Sequence, residues 1–333
     1  MIGAPKEVPT RTRIAVCSPI MLNDVLARLE GIEGVQAVGC APSNLPASAA
    51  EVDAMVLAGF HYTPELASAL AASSNRCRWL QLLTAGYETL EEIGVPRGIL
   101  VTNAGDVWSP SVAEHAMALL LALARRLRRC ETRQREARWD NAIRNDMLSL
   151  HDSRLLIVGL GGIGREVARR ARAFGMHLTG VSRSGRPDVA VDRVIRPEQL
   201  RPAIAVSDAI VLAVPSSPST RHMIGAAELA ACRPHALIVN VARGDVIDTG
   251  ALIDALDQGR ICGAGLDVTD PEPLPADSPL WRHPNVIVSP HLGGAASPRY
   301  YERLVAHIAS SVSAFSRGSP LPAQLSLPSA VAD

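Results

Sequence analysis

Lysine is almost missing from this chain: Lys6 is the only one among 33 basic residues. The rest are arginine, so an isolated arginine carries little information here. Aromatic residues are scarce at 3%, while hydrophobic residues as a whole reach 47%. A large core is therefore available, and it must be packed mostly from aliphatic side chains. Neither sign of charge is in excess, with 33 basic against 33 acidic side chains. That excludes the broad basic field that attracts nucleic acid. The six cysteines, at 17, 40, 77, 130, 232 and 262, form no C-x-x-C pair and no zinc-ligand spacing. They read as small buried apolar side chains in a reducing compartment, with no metal implied. Long apolar runs are missing as well. The longest, from Ala116 to Ala124, is far too short to span a bilayer. The opening MIGAPKEVPTRTR has no apolar stretch of the kind a signal peptide needs. The expectation is a cytoplasmic protein with no membrane and no nucleic-acid partner.

What is present is an alternation of strand-like and helix-like segments, over 333 residues, a length that suits two domains. Early strands are expected at IAVCS (14–18), AMVLAG (54–59), WLQLL (79–83) and ILVTN (99–103), with helices at Leu22–Leu29 and Pro64–Ala72 between them. A second series follows: LLIVG (155–159), HLTGV (177–181), AIVLAV (209–214), ALIVNV (236–241), GAGLDV (263–268) and VIVSP (286–290). The fold class expected is α/β, two Rossmann-like domains with parallel sheets and helices on both faces. A helix from Ser111 to about Arg126 joins the series. Pro110 suits its first turn, Ser111 and Glu114 fit a capping box, and its apolar residues on every face call for cover all round. A further helix runs from Pro298 to Phe315, and the Pro-rich tail after it reads as extended and partly disordered.

The stretch LLIVGLGGIG carries Gly159, Gly161 and Gly164 in the spacing G-x-G-x-x-G, between an apolar strand and a helical pattern. In that setting the glycines, with Gly162 and Ile163, form the turn whose backbone amides hold a dinucleotide pyrophosphate at a helix N-terminus. The same fingerprint calls for a carboxylate at the end of the next strand, to hold the adenosine ribose. That strand ends instead in Ser182-Arg183-Ser184. A hydroxyl can donate to a 2′-phosphate and Arg183 can neutralise it, so the expected cofactor is NADP(H) in preference to NAD(H).

Later strands end in further polar groups. Arg243 follows ALIVNV, Asp267 and Glu272 follow GAGL, and His291 follows VIVSP. Ligands bind at the carboxyl ends of strands in open α/β sheets, so these residues should converge on one crevice. Val214-Pro215, at the end of AIVLAV, and Val241-Ala242, just before Arg243, complete the expected cofactor-binding set. Read singly, Arg243 and Asp267 could each be a solvated loop residue; the convergence gives them a site.

The motifs TAGYETL (84–90), VTNAGDVWSPSVAEHA (101–116), VGLGGIG (158–164), VNVARGDVID (239–248), GAGLDVTDPEPL (263–274) and SPHLGG (289–294) occur in the order found in the D-2-hydroxyacid dehydrogenases. The chain resembles that family, in its glyoxylate and hydroxypyruvate reductase branch, from about Leu80 to about Ser319. The resemblance implies that His291 is the general acid/base, Glu272 its partner and Arg243 the substrate anchor. It implies that Asp267 hydrogen-bonds the nicotinamide carboxamide, and that amides near Ala85 and Gly86 complete a carboxylate clamp. The chemistry suits a 2-keto acid. Arg243 can grip its carboxylate and polarise its ketone while the nicotinamide gives hydride to the ketone carbon. A protonated imidazole then neutralises the alkoxide, and Glu272 favours that charged form. Formate dehydrogenases share the fold but carry glutamine at the position of Glu272, which argues against that branch. NAD-specific members place their acidic residue 18 positions after the last glycine, where this chain has Ser182.

The resemblance also implies a substrate-binding, flavodoxin-like domain of residues 1–104 and 293–333, and a dinucleotide-binding domain of residues 105–292. Glycines at the crossing near Leu292–Gly294 would permit closure around substrate. A homodimer built on the Ser111 helix is expected. His115 reads as a structural interface residue, and His283 and His307, which lack partners in their motifs, as surface residues. In some glyoxylate and hydroxypyruvate reductases a tryptophan near the place of Trp139 reaches a neighbouring subunit's site; plain packing is the other reading. Tyr87, Val107 and Trp108 bear on pocket size. The competing function is a dinucleotide-sensing binding protein of the corepressor kind, which can keep the same site residues.

Overall fold

The computed structural model describes residues 11–295 and 298–327. The signal-peptide reading of the first residues falls largely outside them. In chain order the first elements are β1 Thr12–Cys17, α1 Leu22–Glu30, β2 Val35–Gly39, α2 Leu45–Ser48, β3 Ala54–Leu57, α3 Pro64–Ala71, β4 Trp79–Leu82, α4 Glu88–Ile93 and β5 Leu100–Thr102. Then come α5 Ser109–Ala124, α6 Leu127–Arg135, β6 Arg154–Val158, α7 Gly162–Ala173, β7 His177–Val181, β8 Arg193–Ile195, α8 Leu200–Ile204, β9 Ala209–Leu212 and α9 Ala226–Ala231. The last are β10 Leu237–Asn240, α10 Thr249–Asp257, β11 Gly263–Leu266, β12 Val286–Val288 and α11 Pro298–Ser316. The chain divides into two compact units, Ser109–Ala295 and the described residues on either side of that span.

The first unit is a parallel sheet in the order β2-β1-β3-β4-β5. Successive side chains of a strand point to opposite faces, and here both faces are covered. Ile14 and Val16 meet Val25 and Leu29 of α1 and Leu304, Ile308 and Val312 of α11. Ala15 and Cys17 meet Leu45 of α2 and Leu66 and Leu70 of α3. Each fully buried leucine contributes roughly 1.5–3 kcal/mol, which is what holds helices this short. Thr63 starts α3, accepting the Leu66 amide on Oγ1 at 3.3 Å, with Pro64 in the first turn.

The second unit is a parallel sheet in the order β12-β11-β10-β9-β6-β7-β8. One face is packed with α8, α9 and α10 through Leu200, Ile204, Leu229, Leu252 and Leu256. The other carries α5, which lies against α7, β10 and β11. Strand order reverses at β6, whose neighbours are β7 and β9, so a crevice opens at the carboxyl ends of those strands.

Several expectations are corrected. Strands β2 and β8 lie outside the apolar-run reading; both are sheet edges, half-solvated and correspondingly polar. Helix α5 starts at Ser109, so Ser111 is no cap. Its hydroxyl donates to Ala295 O at 2.9 Å, and Glu114 pairs with Arg170 at 2.9 Å. Within the single chain α5 keeps one open edge, where Glu114 and Ala118 are exposed and Leu121 and Ala122 half-exposed; a second subunit is the cover expected there. The described part of the tail, up to residue 327, lies against the first unit. Leu325 donates its amide to Val101 O at 2.9 Å, and Leu325 and Leu327 pack on the first unit's core. Residues after 327 lie outside the described set. All six cysteines are unpaired, but only Cys17 and Cys77 are buried, the other four being half-buried. Burial pushes the Cys17 thiol up to about 11, with Cys40 adding to it, and the Cys77 and Cys232 thiols up to about 12. Among the described residues no helix is long and apolar enough to cross a membrane.

Candidate active site

The glycine loop joins β6 to α7. Gly159 has φ +102°, and a Cβ there would lie 2.4 Å from Ala213 O. A Cβ on Gly164 would lie 1.9 Å from Gly159 O, so neither position admits another residue. At Gly161, by contrast, no atom lies within 4 Å of the Cβ site. Open space therefore faces the first turn of α7, whose start at Gly161 has no side-chain cap. The amides of Gly162, Ile163 and Gly164 are left for a ligand, and the positive end of the helix favours an anion. These residues fit a dinucleotide pyrophosphate. Val214 and Pro215 follow β9, next to β6 in the sheet, and the buried Val241 and Ala242 follow β10.

Strand β7 ends in a turn closed by Gly185 N donating to Ser182 O at 3.1 Å. Ser182 and Ser184 hydroxyls are 3.2 Å apart, and Arg183 is exposed. The nearest acid along this loop, Asp188, is held by Arg165 at 2.8 Å and by the Ala190 amide. Those donors lower its pKa, the backbone bond first and the arginine second.

After β10 the chain turns sharply. Asn240, 1% exposed, accepts the Ala242 amide on Oδ1 at 3.0 Å and donates from Nδ2 to Arg243 O at 2.9 Å. Arg243 Nη1 donates to Ala242 O at 2.7 Å. The sequence reading missed Asn240; a buried amide ending a strand was its only signal.

At β11 and β12, His291 Nδ1 lies 2.7 Å from Glu272 Oε1. The carboxylate accepts, so Nδ1 carries the proton and Nε2 faces away from the pair. Both side chains are about half open, 48% and 41% exposed, which leaves room for a small substrate. His291 has φ +54°, an uncommon conformation for a residue with a Cβ. Asp267 is 3% exposed, and its carboxylate receives Ser289 Oγ, Leu292 N, Gly293 N and His115 Nε2. Burial opposes its ionisation, but the bonds from His115, Ser289, Gly293 and Leu292 prevail and bring its pKa down to about 2. The expectation placed Asp267 on the cofactor; the structure shows it engaged by four donors of its own chain.

Other candidates separate. Ala85 and Gly86 follow β4 in the first unit, where Asn103 Nδ2 donates to Ala85 O at 2.7 Å and Thr84 Oγ1 to Gly86 O at 2.8 Å. In that unit Trp108 donates to Leu83 O at 3.1 Å and stands edge-on to Tyr301. His283 and His307 are not free surface residues. His283 Nδ1 accepts the Asn285 amide at 3.2 Å, and its imidazole is mostly buried; burial lowers its pKa. His307 Nε2 lies 2.9 Å from Asn103 O. Trp139 is 93% exposed.

Comparison with known proteins bears on the family and the fold. The family model described as "D-isomer specific 2-hydroxyacid dehydrogenase, NAD binding domain" matches residues 117–293. A glyoxylate reductase of Thermococcus gammatolerans is 41% identical over 227 residues, covering 66% of this chain and 68% of that one. A glyoxylate/hydroxypyruvate reductase B of Pectobacterium carotovorum is 32% identical over 246 residues, covering 72% and 77%. A D-isomer specific 2-hydroxyacid dehydrogenase family protein of Aeromonas salmonicida has a structure that superposes with a TM-score of 0.82. It is 30% identical, over 95% of this chain and 99% of that one. With the matched region running from inside α5 to the turn that holds His291, the chain belongs to the D-isomer specific 2-hydroxyacid dehydrogenase family.

Proposed function

We propose that the protein uses NADPH to reduce a small 2-keto acid, glyoxylate or hydroxypyruvate, to the 2-hydroxy acid, of D configuration where the product is chiral. The relatives are named for those reductions. The observation that carries the reading is the 2.7 Å bond between His291 Nδ1 and Glu272 Oε1, in the same unit as Arg243 and the glycine loop. Arg243 binds the substrate carboxylate and draws electron density toward the ketone oxygen. The reduced nicotinamide, when bound, supplies hydride to the ketone carbon. His291 gives the proton on Nε2 to the oxygen that becomes the hydroxyl, while Glu272 fixes the ring through Nδ1. Oδ2 of Asp267 receives the Gly293 amide and keeps acceptor capacity, so a carboxamide contact remains part of this reading.

The preference for NADPH rests on Ser182, the exposed Arg183 and Ser184, where a carboxylate would repel a 2′-phosphate. A homodimer is supported by the open edge of α5 at Ala118, Leu121 and Ala122, and by the exposed Leu127 and Trp139 nearby in sequence. The free cysteines suit a reducing, cytoplasmic setting. The dinucleotide-sensing alternative draws no support from the site. Mixing purified protein with NADPH and a panel of 2-keto acids, and following loss of the reduced nicotinamide absorbance, tests the proposal. Turnover with glyoxylate or hydroxypyruvate is expected; no turnover of any keto acid with either cofactor would overturn it.

A further inference from the structure

His291, Leu292 and Gly293 present three consecutive amides to one residue. His291 N donates to the backbone oxygen of Asp267 at 2.8 Å, Leu292 N to Oδ1 at 2.8 Å and Gly293 N to Oδ2 at 2.8 Å. The turn that carries His291 in its left-handed conformation is thus folded around a single buried carboxylate. A Cβ on Gly293 would lie 2.8 Å from Oδ2, so the fit is close. The carboxylate can hold the turn only if it is itself held, and two side-chain donors remain, one at the start of the turn and one from α5. Ser289 Oγ donates to Oδ1 at 2.7 Å. His115 Nε2 lies 2.7 Å from Ser289 Oγ and 3.1 Å from Asp267 Oδ1. Since Ser289 gives its own proton to Asp267, His115 Nε2–H is the donor to both. Ser111, one helical turn before His115 and so on the same face of α5, donates to Ala295 O at the other end of the turn.

We propose that His115, with Ser289, is a positioning residue for His291: it sets the angle of the Asp267 carboxylate, and through it the turn that aims the imidazole. The kinetic arm of the test rests on the reductase reading above; the exchange arm does not. His115 and Ser289 both bond Asp267, and the effect on His291 travels through that carboxylate. Removing one donor from a buried charged acceptor loosens what the acceptor holds.

The test compares His115→Ala and His115→Gln, whose amide can again donate to Ser289 and Asp267, with the parent. Amide hydrogen exchange is followed by mass spectrometry in peptides covering 289–293. In His115→Ala, exchange at Leu292 and Gly293 is expected to quicken by about tenfold, and in His115→Gln to return toward the parent rate. In turnover, His115→Ala should lower kcat by about tenfold while KM for the keto acid stays within about twofold, a split that loss of folded protein would not produce. If His115→Ala yields no folded protein, Ser289→Ala removes another Oδ1 donor and is read the same way. Unchanged exchange in the turn, or equal exchange in the Ala and Gln variants, would overturn the proposal. Should the parent reduce no keto acid, the proposed function falls, and the exchange rates still decide this one.

Discussion

His291 Nδ1 and Glu272 Oε1 are 2.7 Å apart although they belong to two different strand-end loops, 19 positions apart in the chain. A bond of that length between an imidazole and a carboxylate makes the two residues a unit, and units lose activity non-additively. His291→Ala should lower turnover by about two to four orders of magnitude. Glu272→Gln keeps a hydrogen-bonding atom but loses the charge, and should cost less than that. The double variant should be no slower than His291→Ala alone. A double variant slower by the product of the two single losses would mean that Glu272 acts independently of His291.

Arg243 should behave differently. It is assigned both to gripping the substrate carboxylate and to polarising the ketone, so Arg243→Ala should raise KM and lower kcat together. Arg243→Lys restores the charge without the planar fork and should recover little of either. Steady-state kinetics with glyoxylate distinguish the outcomes. A lysine variant as active as the parent would mean that a point charge suffices.

Cofactor choice is read from a turn with three small or basic residues. Arg183→Ala should weaken NADPH binding by about tenfold or more and leave NADH nearly untouched, because only NADPH carries the 2′-phosphate. Ser182→Asp should reverse the preference. Fluorescence titration of the reduced cofactors measures both, and equal losses for the two cofactors in Arg183→Ala would remove Arg183 from the phosphate site.

The parts of the molecule that the sequence makes plain are those where one local pattern has one physical solution. Central strands such as Leu155–Val158 and Leu237–Asn240 are buried on both faces and must be apolar throughout. The glycine loop is legible because backbone approaches of the kind seen at Gly159 and Gly164 exclude every side chain. Edge strands escape notice because half their surface faces water, as in Val35–Gly39. Ser111 and Glu114 imitate a capping box, yet the helix begins two residues earlier, because Ser111 finds a partner 184 positions away in Ala295. His115 is the same case: its helix can be read from sequence, but Ser289 lies 174 positions on, and no periodicity announces that contact.

The last prediction concerns acid. Asp267 has a folded-state pKa of about 2, against an ordinary value of 3.8. A carboxyl depressed by folding adds stability above its unfolded value and loses it as pH falls through the folded one. For Asp267 that window runs from about 4 down to about 2, and the full contribution is on the order of 2 kcal/mol. By pH 3 about half of it should be gone. Asp267→Asn has no such ionisation, so comparing it with the parent isolates this group from the other carboxylates. Urea unfolding followed by near-ultraviolet circular dichroism should show the parent more stable than the variant at pH 7 and pH 5, with the gap narrowing at pH 3. The opposite sign is excluded by the four donors around the carboxylate, each of which prefers it charged. A gap that stays constant from pH 7 to pH 3 would mean that Asp267 holds the His291 turn by shape and not by charge.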